Sequence, residues 1–206
     1  MRSAFDKFIS WTGLLMAIVL LVAGSLLWWA HTFIGDQVND QLTMQGITMP
    51  EGEALASLPK ADADALKEYA GSPLDTGPEA KAFADHYILV HMNGASATED
   101  SPDGRTYEEV SGEYISMTPE QQATEEGQAL AGLRQTLFMG NTLRGLLLYG
   151  YAFATMGTIA GIAALVSFAG SIILFILFGL GIWHGRKMEK EATAGAAVDG
   201  AAPQPV

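Results

Sequence analysis

Two long apolar stretches, one towards each end, constrain this chain of 206 residues more than any other feature. The first runs from Phe8 to Gly35 without a single Asp, Glu, Lys or Arg. A bilayer core about 30 Å thick needs about 20 helical residues, so this stretch is long enough to span it. Trp11 near one end, with Trp28 and Trp29 near the other, lie where an interfacial aromatic belt is expected.

A cleaved signal peptide is the rival interpretation of the first stretch. Its apolar region would be unusually long for a signal peptide, and no small-x-small cleavage site follows the tryptophans. Arg2 and Lys7 precede the stretch, as the positive-inside tendency requires of a cytoplasmic start. We therefore predict a cytoplasmic N-terminus at residues 1–7 and an uncleaved transmembrane helix at residues 8–31.

The second stretch is longer than a single crossing requires. Leu146 to Trp183 is 38 residues without a charge, which is about 57 Å as one helix and nearly twice the thickness of a bilayer core. Three interpretations compete. One helix crosses and continues outside, or the part before Gly157 lies in the membrane interface, or the stretch forms a hairpin of two spans.

The hairpin is the least favoured of these interpretations. The stretch contains no Pro or Asn to make a turn. A hairpin would also place the cations that follow, Arg186, Lys187 and Lys190, outside the cell, against the positive-inside tendency. We predict one crossing at residues 157–183. The remainder, residues 184–206, is predicted to be a cytoplasmic tail that is disordered where it becomes rich in Ala, Gly and Pro from Ala192 onwards.

The segment between the spans, residues 32–156, is strongly acidic. From Thr32 to Leu143 there are 19 Asp or Glu and 5 Lys or Arg, a net charge of −14. Such a surface does not attract nucleic acid and is repelled by anionic lipid headgroups. With two crossings and both termini cytoplasmic, it forms an extracytoplasmic domain. The chain has no cysteine, so no disulfide holds that domain together.

Helix start signals recur in the acidic segment, and sustained strand-like alternation does not. Thr76, Thr106 and Thr118 each begin a capping-box pattern, with Glu or Gln three residues later. Asp62 is a further N-cap candidate for a helix ending near Gly71. The helix after Thr118 is expected to continue towards the second span. The predicted fold class is an all-α membrane protein with two transmembrane helices flanking a helical extracytoplasmic domain.

The helix after Thr76 carries the clearest apolar stripe, and Asn93-Gly94 is expected to end it. Its members recur at helical spacing; they are Ala80, Phe83, Ala84, Tyr87, Ile88 and His91. His86 and His91 are five residues apart, whereas two zinc-binding imidazoles on one helix face prefer a spacing of three or four. Asp85 lies on a different face from His91. We therefore expect His91 to close the core stripe and His86 to be solvated.

The sequence gives only weak evidence for other functional sites. His31 and His184 lie at the predicted membrane edges, where the polar end of an aromatic side chain can contact water. The loop Glu99-Asp100-Ser101-Pro102-Asp103-Gly104 clusters oxygen ligands but lacks the spacing and closing Glu of an EF-hand. There is no phosphate loop, Rossmann glycine pattern or nucleophile elbow. We predict no catalytic residues, no metal and no cofactor.

Small residues of the second stretch point to helix packing. Gly157 and Gly161 form a small-xxx-small pattern, which lets helix backbones approach closely. Gly150, Ala154 and Ala164 extend the same surface. This helix-packing face either packs on the first span of the same chain or binds another membrane protein, and the sequence favours neither.

Several segments resemble an uncharacterised family of actinobacterial membrane proteins. They are Phe33–Met49 with Gln45-Gly-Ile-Thr-Met-Pro50, Tyr69-Ala-Gly71, Thr76-Gly-Pro-Glu-Ala-Lys-Ala82, Tyr107-Glu-Glu-Val-Ser111 and Thr142-Leu-Arg-Gly-Leu-Leu-Leu148. Members of that family are often labelled as the small subunit of an aromatic ring-opening dioxygenase. The resemblance implies an actinobacterial host and an envelope location. Ring opening needs a metal held by a set such as two His and one carboxylate, and the spacing of His31, His86 and His91 does not assemble one.

Three hypotheses follow for function. The first is a non-enzymatic protein of the cell envelope that acts as an interaction or accessory subunit of a membrane complex, with the lipid bilayer as one partner. The second is an extracytoplasmic domain that senses a ligand or an ion. The third, and least favoured, is a metal-dependent enzyme using His86, His91 and nearby carboxylates.

Overall fold

The computed structural model describes the backbone of residues 2–199 and the side chains of residues 8–188, Lys190 and Glu191. This part of the chain is helical, and its regular elements include no strand; a lone antiparallel bridge joins Thr48 to Pro73. The α-helices are α1 (Arg2–Thr43), α2 (Gly52–Ala56), α3 (Lys60–Leu66), α4 (Gly77–Phe83), α5 (Leu89–Ser96), α6 (Tyr107–Ser116), α7 (Pro119–Gln122) and α8 (Glu125–Asp199). A 3₁₀ turn (Lys67–Tyr69) follows α3, and a π-turn (Ala84–Ile88) joins α4 to α5. The predicted all-α class is confirmed.

The chain divides into two compact units. We call Met1–Thr32 with Thr158–Val206 the apolar unit, and Phe33–Gly157 the acidic unit. The acidic unit contains 19 of the 23 acidic residues of the chain. Helices α1 and α8 each contribute residues to both units because they are much longer than the other helices.

The apolar unit exposes most of its hydrophobic surface. Two helices are long and apolar enough to cross a membrane, within Phe8–Thr43 and Glu125–Met188, and only 11% and 17% of their most apolar windows are buried. The core helix of a soluble protein buries such a surface, because exposed apolar area is unfavourable in water. The exposed side chains include Val19, Val22 and Leu26 on α1 and Ile162, Val166 and Ile173 on α8.

Helix α8 is one uninterrupted helix from Glu125 to Asp199, which excludes the hairpin interpretation of the second stretch. The prediction of a disordered tail was wrong for residues 192–199, which the structure places in α8. Alanine has the highest helix propensity, and four of these eight residues are alanine. The rest of the predicted tail, residues 200–206, lies outside the described residues.

The acidic unit has its own hydrophobic core. The end of α1 and most of the other helices contribute to it, and α8 closes one side. Its buried members are Val38, Leu42, Met49, Leu58, Leu66, Leu74, Ala80, Phe83, Ala84, Ile88, Met92, Val110, Leu130, Leu137 and Leu147. A core of this size is necessary because the chain has no disulfide to replace it.

The capping boxes at Thr76, Thr106 and Thr118 are confirmed as helix starts. The Asp62 prediction was wrong, because α3 begins at Lys60 directly after Pro59, and a proline just before the helix suits its first turn. Asp62 lies in that first turn instead, where its carboxylate binds His86.

The helix that starts after Thr118 is shorter than predicted. It ends at Gln122, and α8 starts anew at Glu125. Gly127 lies against the carbonyl oxygen of Gln121, so closely that a side chain would not fit there. The Thr124 hydroxyl accepts a hydrogen bond from Gly127 N–H at 3.1 Å. A sharp turn with its own cap thus separates two helices that share one apolar pattern.

The π-turn changes which residues face the core after Phe83. Buried residues recur at intervals of four, at Ala80, Ala84, Ile88, Met92 and Ser96. Four residues of an ideal α-helix overshoot a full turn by about 40°, so this spacing requires the wider winding that a π-turn supplies. The predicted role of His91 was therefore wrong: it is exposed, and Met92 occupies the core position. The helix also continues beyond Asn93-Gly94, to Ser96.

Candidate functional site

Antiparallel packing of α1 against α8 builds the apolar unit. Close approaches recur along both helices, with residue numbers rising on α1 as they fall on α8. The pairs are Ser10 with Gly181, Trp11 with Phe178, Ala17 with Ser171, Leu20 with Gly170, Gly24 with Phe168, and His31 with Gly161. Five of the six pairs include a Gly, Ala or Ser, and such small residues let two helix backbones come close together.

The α1 side of this pairing repeats every seven residues. Ser10, Ala17, Gly24 and His31 are each seven apart and all face α8. A period of seven keeps one helix face towards a neighbour over several turns. The sequence signal for this repeat is the seven-residue spacing of the small residues Ser10, Ala17 and Gly24.

Ser171 supplies the polar contact of this pairing. Its hydroxyl donates to the carbonyl oxygen of Ala17 at 2.8 Å, and both residues are fully buried. A hydrogen bond within a folded protein makes a net contribution of about 1 kcal/mol. The contact adds little stability, but because only one register satisfies it, it contributes to fixing how the helices align.

The five residues predicted to form a helix-packing face are all buried or half-buried within the chain. In the acidic unit, Gly150 lies beside Leu42, Ala154 approaches Gly77, and Gly157 is buried. In the apolar unit, Gly161 lies beneath the ring of His31, and Ala164 is fully buried. Gly150 and Ala154 are only half-buried, so whether this face also binds a partner stays a prediction.

A network of charged groups surrounds the π-turn of the acidic unit. Asp85 binds Lys81 on its own helix and Arg144 of α8, whose Nη2 lies 2.7 Å from the carboxylate. Burial alone raises the pKa of Asp85, but the hydrogen bonds from Lys81 and Arg144 outweigh it and hold the pKa below its ordinary value. The network ties α4 to α8 across a partly buried contact.

His86 binds Asp62 rather than solvent alone. Its Nδ1 lies 2.8 Å from Asp62 Oδ1, which joins the π-turn to α3. The prediction that His86 is solvated was therefore wrong in part, since its side chain is 37% exposed and the carboxylate holds one ring nitrogen. A histidine oriented by a carboxylate resembles half of a catalytic triad, but no described contact adds a nucleophile to it.

The remaining predicted ligands stay separate. His91 Nδ1 lies 2.7 Å from the carbonyl oxygen of Tyr87, and its ring packs on the Tyr87 ring. Backbone turns order the Glu99–Gly104 loop, with Ser101 N–H donating to the Thr98 carbonyl oxygen. Within residues 8–188, Lys190 and Glu191, no three His, Asp or Glu side chains come together as a metal-binding group.

The most enclosed carboxylate of the chain's described part is Glu79, which is 8% exposed. Its Oε2 accepts from the Thr76 hydroxyl at 2.7 Å, the Thr76 N–H at 2.9 Å and the Asp75 N–H at 3.1 Å, and its Oε1 accepts from the Ser72 hydroxyl at 3.0 Å. Burial raises the pKa of Glu79, but these four donors favour the ionised form more strongly, and the pKa lies below its ordinary value.

Glu79 therefore organises a turn as well as a helix start. The segment before α4 pairs with the chain around Met49, whose N–H donates to the Ser72 carbonyl oxygen at 2.9 Å. Ser72 also donates to Glu79. One carboxylate thus links the start of α4 to the turn that closes over the end of α1. Asp75 beside it has a raised pKa, chiefly because of burial and also because of the neighbouring Glu79 charge.

We expect the acidic unit to lose stability in acid. A carboxylate whose pKa is lowered on folding stabilises the fold fully above its ordinary pKa of about 4, and this contribution disappears as pH falls through the lowered value. Glu79 and Asp85 both behave in this way. Asp75 acts in the opposite sense and makes the decline less steep.

The check is the unfolding midpoint of the full chain in detergent between pH 7 and pH 3, followed by tyrosine circular dichroism. All six tyrosines lie in the acidic unit. Glu79→Gln keeps the size of the side chain but removes its titration. This variant should be less stable at pH 7 and show a flatter pH profile; an unchanged profile would contradict the role assigned to Glu79.

A second polar cluster packs α6 against α8. Arg134 Nε donates to the Ser111 hydroxyl at 2.9 Å, and the guanidinium lies 5.9 Å from the ring centre of Tyr107 and 5.6 Å from that of Tyr114. The hydrogen bond with Ser111, helped by Arg134, lowers the pKa of Tyr107. The sequence alone does not predict this cluster, because Arg134 is 20 or more residues along the chain from the three residues of α6 that it contacts.

No protein-family model matches the chain, no curated protein matches it, and no solved structure matches it.

Proposed function

We propose that the protein is an integral membrane protein of the cell envelope that works as an interaction or accessory subunit rather than as an enzyme. The observation that carries the proposal is the exposed apolar surface of paired α1 and α8. Side chains such as Val19, Leu26, Ile162 and Ile173 are 45% or more exposed on helices with no charged residue nearby. A surface of that extent is compatible with lipid and unfavourable in water.

The proposed topology has both termini in the cytoplasm and the acidic unit outside. Arg186 and Lys187 follow the apolar part of α8, in agreement with the positive-inside tendency. The acidic unit would be repelled by the anionic cytoplasmic leaflet. Its net charge therefore supports an extracytoplasmic position as well.

An interaction role is favoured because three enclosed polar groups of the acidic unit hold its own structure together. Glu79 caps α4, Asp85 joins α4 to α8, and the Ser111 hydroxyl accepts from Arg134. Groups that do chemistry need free donor or acceptor capacity directed at a substrate. These three groups use theirs to hold the start of α4 and to join α8 to the π-turn and to α6, which is a structural role.

Two measurements test this proposal. Alkaline carbonate extracts peripheral proteins but not spanning ones, so the full chain should stay with the membrane pellet. Recovery in the carbonate supernatant would contradict the membrane proposal. Purification in a mild detergent should then yield another membrane protein in fixed proportion. Recovery of this chain without such a protein, in repeated mild detergents, would contradict the accessory role.

A further inference from the structure

A second apolar stripe of α8 lies within the acidic unit and is open to its surroundings. Its positions repeat every seven residues as two interleaved series, which are Met139, Leu146 and Phe153, and Thr142, Tyr149 and Met156. The five large side chains are 53–66% exposed. We call these six residues the α8 seam.

Packing against the core of the acidic unit does not explain why the α8 seam is apolar. Leu137 and Leu147 on another face of the same helix are already buried in the core of the acidic unit. A helix that packs on one side of a soluble domain normally shows polar residues on the other. Apart from Arg144, which Asp85 binds, this segment of α8 carries large apolar side chains on both sides, and helices of that kind are covered on both sides.

Lipid is an unsuitable cover for the α8 seam. About 20 helical residues are enough to cross a bilayer core, and the part of α8 from Thr158 to Trp183 already provides 26. The seam precedes that part and belongs to the unit that carries 19 acidic residues. Such a unit is repelled from anionic headgroups.

We propose that the α8 seam binds the α8 seam of a second copy of this chain. Two copies in one membrane, as the proposed function on which this inference rests requires, have their α8 helices parallel. A two-fold axis between them then brings equal positions together. A repeat of seven with apolar residues at its first and fourth positions is the pattern by which parallel helices pair, and five of the six seam residues fit it, with Thr142 as the exception.

Charge and area agree with self-association. No Asp or Glu occurs on α8 between Glu126 and Glu189, so two seams meet without repulsion although the rest of the unit is acidic. Each large side chain exposes on the order of 100 Å². Five of them from each copy give roughly 1,000 Å² in total, which is the lower limit for a biological interface.

Cysteine cross-linking in native membranes tests the pairing directly, because the chain has no cysteine of its own. Leu146→Cys, Tyr149→Cys and Phe153→Cys should each give, on mild oxidation, a disulfide-linked product of twice the chain's 21.9 kDa. Thr155→Cys is the matched control, since Thr155 is exposed but lies about 200° around the helix from Phe153. It should give no such product.

A charged substitution in the α8 seam provides a second test of the pairing. Phe153→Glu should reduce the dimer fraction of the detergent-solubilised chain at least tenfold, measured by light scattering, whereas Thr155→Glu should leave it unchanged. Absence of seam cross-links from a chain that still resists carbonate extraction would overturn the dimer but not the membrane proposal. Cross-links to a protein of another mass would also overturn it. Carbonate release of the chain would instead overturn the proposed function.

Discussion

Replacing Glu79 with alanine is expected to lower the free energy of unfolding of the acidic unit by about 2–4 kcal/mol, the range for loss of a buried, hydrogen-bonded charged group. The Thr76 hydroxyl and the N–H groups of Asp75 and Thr76 would lose their acceptor at once, whereas the Ser72 hydroxyl would keep the Tyr69 carbonyl oxygen at 2.8 Å. Two of them are backbone N–H groups at a helix start, which cannot turn to another partner. Tyrosine circular dichroism of the full chain in detergent measures the loss.

The chain contains a matched control for this experiment. Glu109 makes the same capping box with Thr106, but on the surface. Water can replace its carboxylate there, so Glu109→Ala should cost clearly less than Glu79→Ala. Equal losses at the two positions would show that the Glu79 contribution is ordinary capping and not the burial of a four-donor site.

Replacing Gly24 with leucine is expected to destabilise the pairing of α1 with α8 by about 1–3 kcal/mol, the usual cost of overfilling a close-packed contact. A Cβ at Gly24 would lie 2.9 Å from two ring carbons of Phe168, closer than carbon atoms tolerate. The ring lies between the helices, so it must move or the helices must separate. All four tryptophans lie in the apolar unit, and their fluorescence during detergent-induced unfolding reports the effect.

Gly13→Leu is the control on the same helix. A Cβ at Gly13 meets no atom within 4 Å, and loss of glycine from a helix interior favours the helix by up to about 1 kcal/mol. We therefore expect a neutral or stabilising effect. A Gly24→Leu variant as stable as Gly13→Leu would contradict the close approach of Gly24 to Phe168.

Local signals in the sequence were sufficient for much of the fold. Capping boxes predict the helix starts at Thr76, Thr106 and Thr118. The two residues of a capping box are only three apart in sequence, so the helix itself brings them together in any fold. The two apolar helices follow from their length and lack of charge. The sequence does not predict the end of α7, because the apolar pattern continues across it. No periodic feature marks the turn that Gly127 allows.

The errors near His91 have a different origin. A helical stripe read at 3.6 residues per turn places His91 in the core, whereas the π-turn moves Met92 there. No local feature of the sequence predicts the wider winding of the π-turn. It arises where Asp85 binds Arg144 and His86 binds Asp62, contacts of 59 and 24 residues along the chain. Sequence spacing says little about pairs so far apart.

The most direct test of the central proposal, two spans with the acidic unit outside, is the labelling of single cysteines in intact cells with a membrane-impermeant maleimide. Thr98→Cys, in an exposed loop of the acidic unit, and Met188→Cys, exposed beyond the apolar part of α8, are suitable sites. The proposal predicts that Thr98→Cys reacts in intact cells and that Met188→Cys reacts only after the membrane is permeabilised. Labelling of Met188→Cys in intact cells, or protection of Thr98→Cys, would contradict it.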